Sequence, residues 1–210
     1  MDAAWNQHSR YYYRPMDGAS GLDTRLLYTA LVVVVALGRL AELRIAGRNL
    51  RSLLARGGVE IAPGHYPWMV LLHTLFLAAC LLEVWLLDRP FIPALGAVML
   101  LLLVLAAGLR WWVISTLDGR WTTRIVVLPG VAPVTGGPYR FLRHPNYLAV
   151  ILEILALPLV HTAWITALVF SLANALLLRV RIRAEEEGLA RLSDYETAFS
   201  GRPRLVPGGR

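Results

Sequence analysis

Residues 147–178 read YLAVILEILALPLVHTAWITALVFSLANALLL. In these 32 residues Glu153 is the only carboxylate and His161 the only imidazole. A helix needs about 20 apolar residues to cross a bilayer. The run is therefore too long for one crossing and short for two. Pro158, followed by His161-Thr162, marks the break, because proline cannot donate to the helical ladder. The segment reads as a helical hairpin whose first arm is short. Three more apolar runs precede it: Leu22–Ile45, interrupted by Arg39 and Glu42; Tyr66–Leu87, carrying His73 and Glu83; and Phe91–Ile114, ending at Arg110. Helices are one of only two arrangements that satisfy every backbone group in lipid. The expected fold class is all-α, a polytopic membrane protein with about five transmembrane helices, the last two a hairpin, and a C-terminal helix in the cytoplasm.

Composition agrees with that class. The chain has 210 residues, is 57% hydrophobic and only 17% charged, with mean hydropathy +0.54. A soluble domain carries about 25% charged residues. All 21 basic residues are arginine, and the net charge is +7. Such a charge can mark a nucleic-acid partner, but here the arginines stand beside apolar runs, which indicates membrane lipid and no nucleic acid. Cys80 lies alone in an apolar run, so neither a disulfide framework nor a thiolate metal site is expected. Residues 1–21 lack the charged start and immediate apolar core of a signal peptide. They read as a surface arm whose Tyr11-Tyr12-Tyr13-Arg14 resembles an interfacial aromatic belt.

Arginine placement sets an orientation. Four arginines fall in 44–64, five in 110–146 and six in 181–210, fifteen on one side. Arg10, Arg14 and Arg89 are the three opposite. The positive-inside rule puts the fifteen in the cytoplasm and the N-terminus outside.

Two polar stretches fall on that side. Gly136-Gly137-Pro138-Tyr139-Arg140-Phe141-Leu142-Arg143-His144-Pro145-Asn146-Tyr147 is the densest polar cluster between apolar runs. Gly136 and Gly137 permit a tight turn, and Pro145 suits the first position of the helix that follows. A helix N-terminus with arginines and a histidine suits a carboxylate or phosphate. The same stretch also reads as a basic loop that only meets lipid headgroups. The second stretch is Arg181-Ile182-Arg183-Ala184-Glu185-Glu186, with Leu189. Arg181, Glu185 and Gly188 share a helix face. A solvated charged helix is the plain alternative.

Gly-Pro-Tyr-Arg, Arg-His-Pro-x-Tyr and Arg-x-x-x-Glu-Glu-x-x-Leu together resemble the isoprenylcysteine carboxyl methyltransferase family of integral membrane enzymes. Tyr195 and Pro203-Arg204-Leu205-Val206-Pro207 resemble the family's tail. The resemblance covers about half the chain. It implies a methyltransferase that uses S-adenosyl-L-methionine, with no metal. By resemblance, Gly137, Tyr139, Arg143, His144, Pro145, Tyr147 and Glu186 bind the cofactor, while Arg181 and Glu185 stand nearest the acceptor as catalytic residues. The acceptor would be a lipophilic small molecule arriving from the bilayer. Arg48-Asn49 through His65-Tyr66-Pro67 to His73 and Glu83 resembles a bacterial branch that methylates long-chain alkylpyrones or alkylresorcinols. That implies a bacterial cytoplasmic membrane. The implied division is an arm at 1–21, a three-helix core at 22–107 and a catalytic half at 108–210.

Other readings stay open. Gly57-Gly58, in the expected polar loop 46–65, lacks the strand and spacing of a dinucleotide fold. An NADPH-dependent sterol or enone reductase also carries histidine and tyrosine near a membrane-helix start. A non-enzymatic scaffold is the third possibility, though no inverted repeat is evident. Arg39 and Glu42 are helix neighbours that either face the interior or snorkel to the interface. His73 and Glu83 serve either chemistry or interhelical hydrogen bonding. Ile125–Leu128 has the β-branched character of a short strand. The tryptophans of that loop either belong to the site or anchor the interface.

Overall fold

The computed structural model describes residues 23–205. The aromatic belt expected at Tyr11–Arg14 lies outside them. Eight elements follow in order: α1 Thr24–Ala55, β1 Val59–Glu60, α2 Tyr66–Leu86, α3 Pro93–Leu117, β2 Val126–Val127, α4 Pro145–Leu159, α5 Trp164–Leu192 and α6 Tyr195–Ala198. Helices α1, α2, α3 and α5 are long and apolar enough to cross a membrane, while α4 has only 15 residues. The last two apolar helices form the expected hairpin. Its break follows Pro158, in the turn 160–163. The chain is a helical integral membrane protein.

Each helix starts where the local chemistry permits. Asp23 caps α1 by accepting from the Arg25 N–H at 2.9 Å. Prolines stand in the first turns of α2, α3 and α4, where a missing N–H is harmless. Helix α5 has no local cap. Its first amides, Ile165 and Thr166, donate instead to the Glu83 carboxylate of α2 at 3.1 and 2.6 Å. Arg89 pairs with the same carboxylate at 2.7 Å. Glu83 therefore serves interhelical hydrogen bonding, satisfying donors that α5 cannot satisfy itself.

Helix α1 differs from expectation in length. It runs ten residues past Ile45 and absorbs the first half of the segment read as a loop. At about 1.5 Å per residue its 32 residues reach roughly 48 Å, beyond a hydrocarbon core of about 30 Å. The extension carries Arg48 and Arg51 on its exposed side. Asn49 on this extension donates to the carbonyls of Asp118 and Trp121 at 3.1 and 2.8 Å. Local polarity does not stop a helix that tertiary hydrogen bonds hold.

The expected short strand exists. β2 pairs antiparallel with β1, Val59 opposite Val127 and Glu60 opposite Val126. The Glu60–Arg124 ion pair at 2.7 Å closes the ribbon. Gly188 of α5 meets the ribbon's end: a Cβ there would lie 2.8 Å from Ile61.

Helix α4 is the most enclosed element. Tyr147, Ala149, Val150, Ile154, Ala156, Leu157 and Leu159 are all buried. It packs between α3 and α5. The outer helices expose Val34, Leu86, Leu101, Leu168 and Leu176, the apolar rind expected where lipid is the solvent. Arg39 and Glu42 do not snorkel. Arg39 pairs with Glu42 at 2.7 Å and with Glu153 at 3.1 Å; Arg110 contacts Glu153 and lies 3.9 Å from Glu42. The four charges lock α1, α3 and α4 together inside the bundle.

Candidate active site

The ends of α1 and α3, the starts of α2 and α4, and the last turns of α5 meet at one end of the bundle. The Gly136–Tyr147 turn and the Arg181–Leu189 helix face each other there, with Tyr147 and Arg181 34 positions apart in sequence. Gly137 adopts φ +53, and a Cβ on it would lie 2.3 Å from Thr116 Oγ1. The glycine is thus required to seat the turn on α3. His144 takes φ −128 and ψ 59, outside the helical region, as a residue before proline should. Pro145 then starts α4 and is buried.

Two backbone donors of this turn are spent on the tail. The N–H groups of Arg143 and His144 donate to the carbonyls of Pro203 and Arg204 at 2.9 and 3.0 Å. Arg143 Nε reaches the Arg202 carbonyl at 2.7 Å, and the Arg202 guanidinium reaches the Tyr139 carbonyl at 2.7 Å. The tail is laced along the turn.

Behind the turn, Glu186 accepts from His144 Nε2 at 3.1 Å and from Arg204 at 2.6 Å. The imidazole stacks on Tyr147, ring centres 5.3 Å apart. In front, the Tyr147 hydroxyl donates to Glu185 and accepts from Arg181 Nε at 2.9 Å. The Arg181 guanidinium also donates to the Thr123 carbonyl at 2.6 Å. Its remaining nitrogen faces only Met69 Sδ, at 3.3 Å, a weak acceptor. Arg181 is buried, which a guanidinium tolerates only when so held.

These groups border two connected spaces. A polar cleft has lobes of about 100 and 140 Å³ that share Tyr139, Arg143, His144 and Glu185. Arg120 and Arg124 add positive charge to its wall, and Tyr195 and Phe199 close its outer lobe. Burial first, then the Glu185 charge, pushes the Tyr139 phenol up, so it stays protonated. Burial and the Glu186 charge do the same to Tyr195. The second space is an apolar cavity of about 400 Å³ running into the bundle between α1, α2, α4 and α5. Leu40, Leu43 and Val70 line it and are also exposed on the outer surface, so it opens sideways between α1 and α2. The two spaces share Trp121, Thr122, Asn146, Tyr147 and Arg181.

The residues singled out in the sequence are thus brought to one place, at different distances from the cleft. Tyr139, Arg143, His144, Tyr147, Arg181 and Glu185 form its wall. Gly137 and Pro145 shape the backbone, and Glu186 stands behind His144. Trp121 is buried and lines both spaces, so it is no interfacial anchor. His73 lines the apolar cavity and bonds the Met69 carbonyl of its own helix at 2.8 Å. Sequence reading missed Thr123, Asn146, Asn174 and the Arg204 partner of Glu186. Asn174 did carry a signal, being the one side-chain amide in an apolar run.

Comparison with known proteins agrees. Residues 98–191 match the isoprenylcysteine carboxyl methyltransferase (ICMT) family model. Uncharacterized protein YpbQ of Bacillus subtilis is 38% identical over 168 residues, 80% of this chain and 99% of that protein. An uncharacterized protein of Haemophilus influenzae is 30% identical over 155 residues, 73% of this chain and 90% of its own length. The matched region spans the turn, the α4–α5 hairpin and the Arg-x-x-x-Glu-Glu face, and on these grounds the chain belongs to the ICMT family.

Proposed function

We propose that this protein is an S-adenosyl-L-methionine-dependent O-methyltransferase acting on a lipophilic acceptor at the cytoplasmic face of the membrane. One observation carries the reading. A polar cleft and a lipid-accessible apolar cavity meet at a single hydrogen-bonded pair, Arg181 and Tyr147. That is the arrangement needed to join a water-soluble donor to a bilayer-soluble acceptor.

The donor set of the cleft fits an adenosyl amino acid. Arg120, Arg124, Arg143 and His144 suit its carboxylate. Glu185 suits ribose hydroxyls and the sulfonium charge. Trp121 and Tyr195 line the two lobes of the cleft, and their rings offer flat surfaces to the nucleoside. When bound, this cofactor supplies an electrophilic methyl group on a positively charged sulfur.

The protein's share is position, charge and dryness. Tyr147 and Thr123 hold two nitrogens of Arg181, leaving the nitrogen beside Met69 to hold an acceptor carboxylate or enolate oxygen. Such an oxygen is already ionised near neutral pH, so no general base is required. Holding the acceptor oxygen in line with the methyl group supplies the rate through proximity and orientation. Buried Trp121 and the β1–β2 ribbon exclude water. An alkylpyrone, whose ring enol is acidic, suits the apolar cavity and its opening between α1 and α2.

The test is thermal unfolding of the detergent-purified protein with S-adenosylhomocysteine or NADPH. S-adenosylhomocysteine should raise the melting temperature by mass action, and NADPH should not. Stabilisation by NADPH alone would replace this reading with a reductase.

A further inference from the structure

Helices α4 and α5 carry a further hollow that the proposed methyl transfer does not use. It is a groove of about 260 Å³, lined by Ile151 of α4, by Ala175, Leu178, Arg179 and Ile182 of α5, and by Leu205 of the tail. Ala175 and Arg179 are exposed, so the groove opens on the outer surface. It shares no lining residue with the polar cleft, and Asn174 and Leu178 divide it from the apolar cavity.

The groove has an apolar length and a charged end. Residues 164–178 of α5, which lead up to Arg179, include no charged side chain. At about 1.5 Å per residue they cover roughly 22 Å of hydrocarbon. Arg179 therefore stands where α5 comes out towards the headgroups. Arg183 follows one turn later on the same face. Both are exposed, and no carboxylate among the described residues pairs with either. Two nearby acids are engaged elsewhere: Glu185 accepts from Tyr147, and Glu186 from His144 and Arg204.

An apolar groove that ends under two free cations fits a ligand with an apolar chain and an anionic head. A free phosphate ester has no part that Ile151, Leu178 and Leu205 would hold. A zwitterionic lipid offers a phosphate but brings its ammonium group close to the same arginines. An anionic phospholipid satisfies both halves, since guanidinium groups pair strongly with phosphate. We propose that this groove binds one anionic phospholipid, its phosphate on Arg179 and Arg183 and one acyl chain along Ile151, Leu178 and Leu205. The bound chain would cover the outer side of the cluster that Leu205 and Ile151 form with Tyr147, Leu178 and Ile182. The inference stands independently of the methyltransferase reading, because the acceptor cavity opens between α1 and α2 instead.

The experiment is a lipid titration of the delipidated full-length protein in dodecylmaltoside micelles, read by native mass spectrometry. Dioleoylphosphatidylglycerol should occupy a first site about tenfold more tightly than dioleoylphosphatidylcholine. Glycerophosphoglycerol, the same headgroup without chains, should not displace it. Arg179→Gln/Arg183→Gln should bring the two lipids to within about twofold. Arg48→Gln/Arg51→Gln, which removes two other exposed arginines from α1, should leave the preference intact. Ala175→Phe, which fills the groove, should remove the first site. Equal affinity of the two lipids for the unaltered protein overturns the proposal without requiring any variant to fold. So does a preference that survives the Arg179 pair or Ala175→Phe, or one lost equally with the Arg48 pair, which is the mark of diffuse surface charge. Displacement by glycerophosphoglycerol also overturns it, because the chains would then contribute nothing.

Discussion

At the scale of single residues, Arg181 and His144 divide the site between them. Arg181 stands where cleft and cavity meet, and its guanidinium contacts a hydroxyl, a carbonyl and a thioether. His144 stands on the cleft wall, braced from behind by Glu186 and Arg204. His144→Ala should therefore weaken S-adenosylhomocysteine binding by on the order of tenfold, the scale of one charge-assisted hydrogen bond. Arg181→Ala should leave that affinity nearly intact and cut single-turnover methylation by on the order of a hundredfold, because the acceptor oxygen is no longer held. Arg181→Lys should recover only part of the rate, since an ammonium cannot reproduce a planar fork held on Tyr147 and Thr123. Calorimetry and single-turnover assays of the three variants measure both quantities. Loss of cofactor binding in Arg181→Ala, with full activity in His144→Ala, would reverse the assignment.

At the scale of elements, the hairpin depends on a side chain from outside it. The first amides of α5 end on Glu83 of α2, and that carboxylate also neutralises Arg89. Glu83→Ala strands the buried Thr166 amide, at a cost of about 1–3 kcal/mol, and frees the half-buried Ile165 amide. The variant should melt several degrees lower in detergent. Its affinity for S-adenosylhomocysteine should be unchanged, because Glu83 lies at the opposite end of the bundle from the cleft. A lowered affinity with an unchanged melting temperature would give Glu83 a role in the site instead. The long α1 belongs at this scale too. Its extension holds the α3–β2 loop through Asn49, and that loop supplies Trp121 and Thr123 to the site.

At the scale of the whole molecule, the open question of orientation has a direct measurement. Cys80 is fully buried, so a single introduced cysteine would report alone. Ala190 lies at the motif-bearing end, and Leu87 at the other; both are exposed. With fifteen arginines assigned to that side by sequence, the positive-inside rule predicts a cytoplasmic cleft. In intact cells, Leu87→Cys should react with a membrane-impermeant maleimide, and Ala190→Cys should react only with a permeant one. The reverse pattern would put the cleft outside, away from a cytosolic cofactor.

The sequence by itself determined the membrane class, the hairpin and the family. Each rests on local information: apolar run length against bilayer thickness, a proline at the break, and two short motifs in order. It also brought out Arg181, Glu185, His144 and Tyr147, because they stand in two polar stretches that resemble the family's motifs. Only the tertiary structure decided what those residues do to one another. Glu186 turns away from the cleft because Arg204, 18 positions later, holds it. Glu83 caps a helix 82 residues distant. Arg39 and Glu42 stay in the interior because Glu153 and Arg110 come from other helices to meet them. A buried charge or unpaired donor is tolerated only where a partner arrives. That arrival is a long-range event no local pattern encodes.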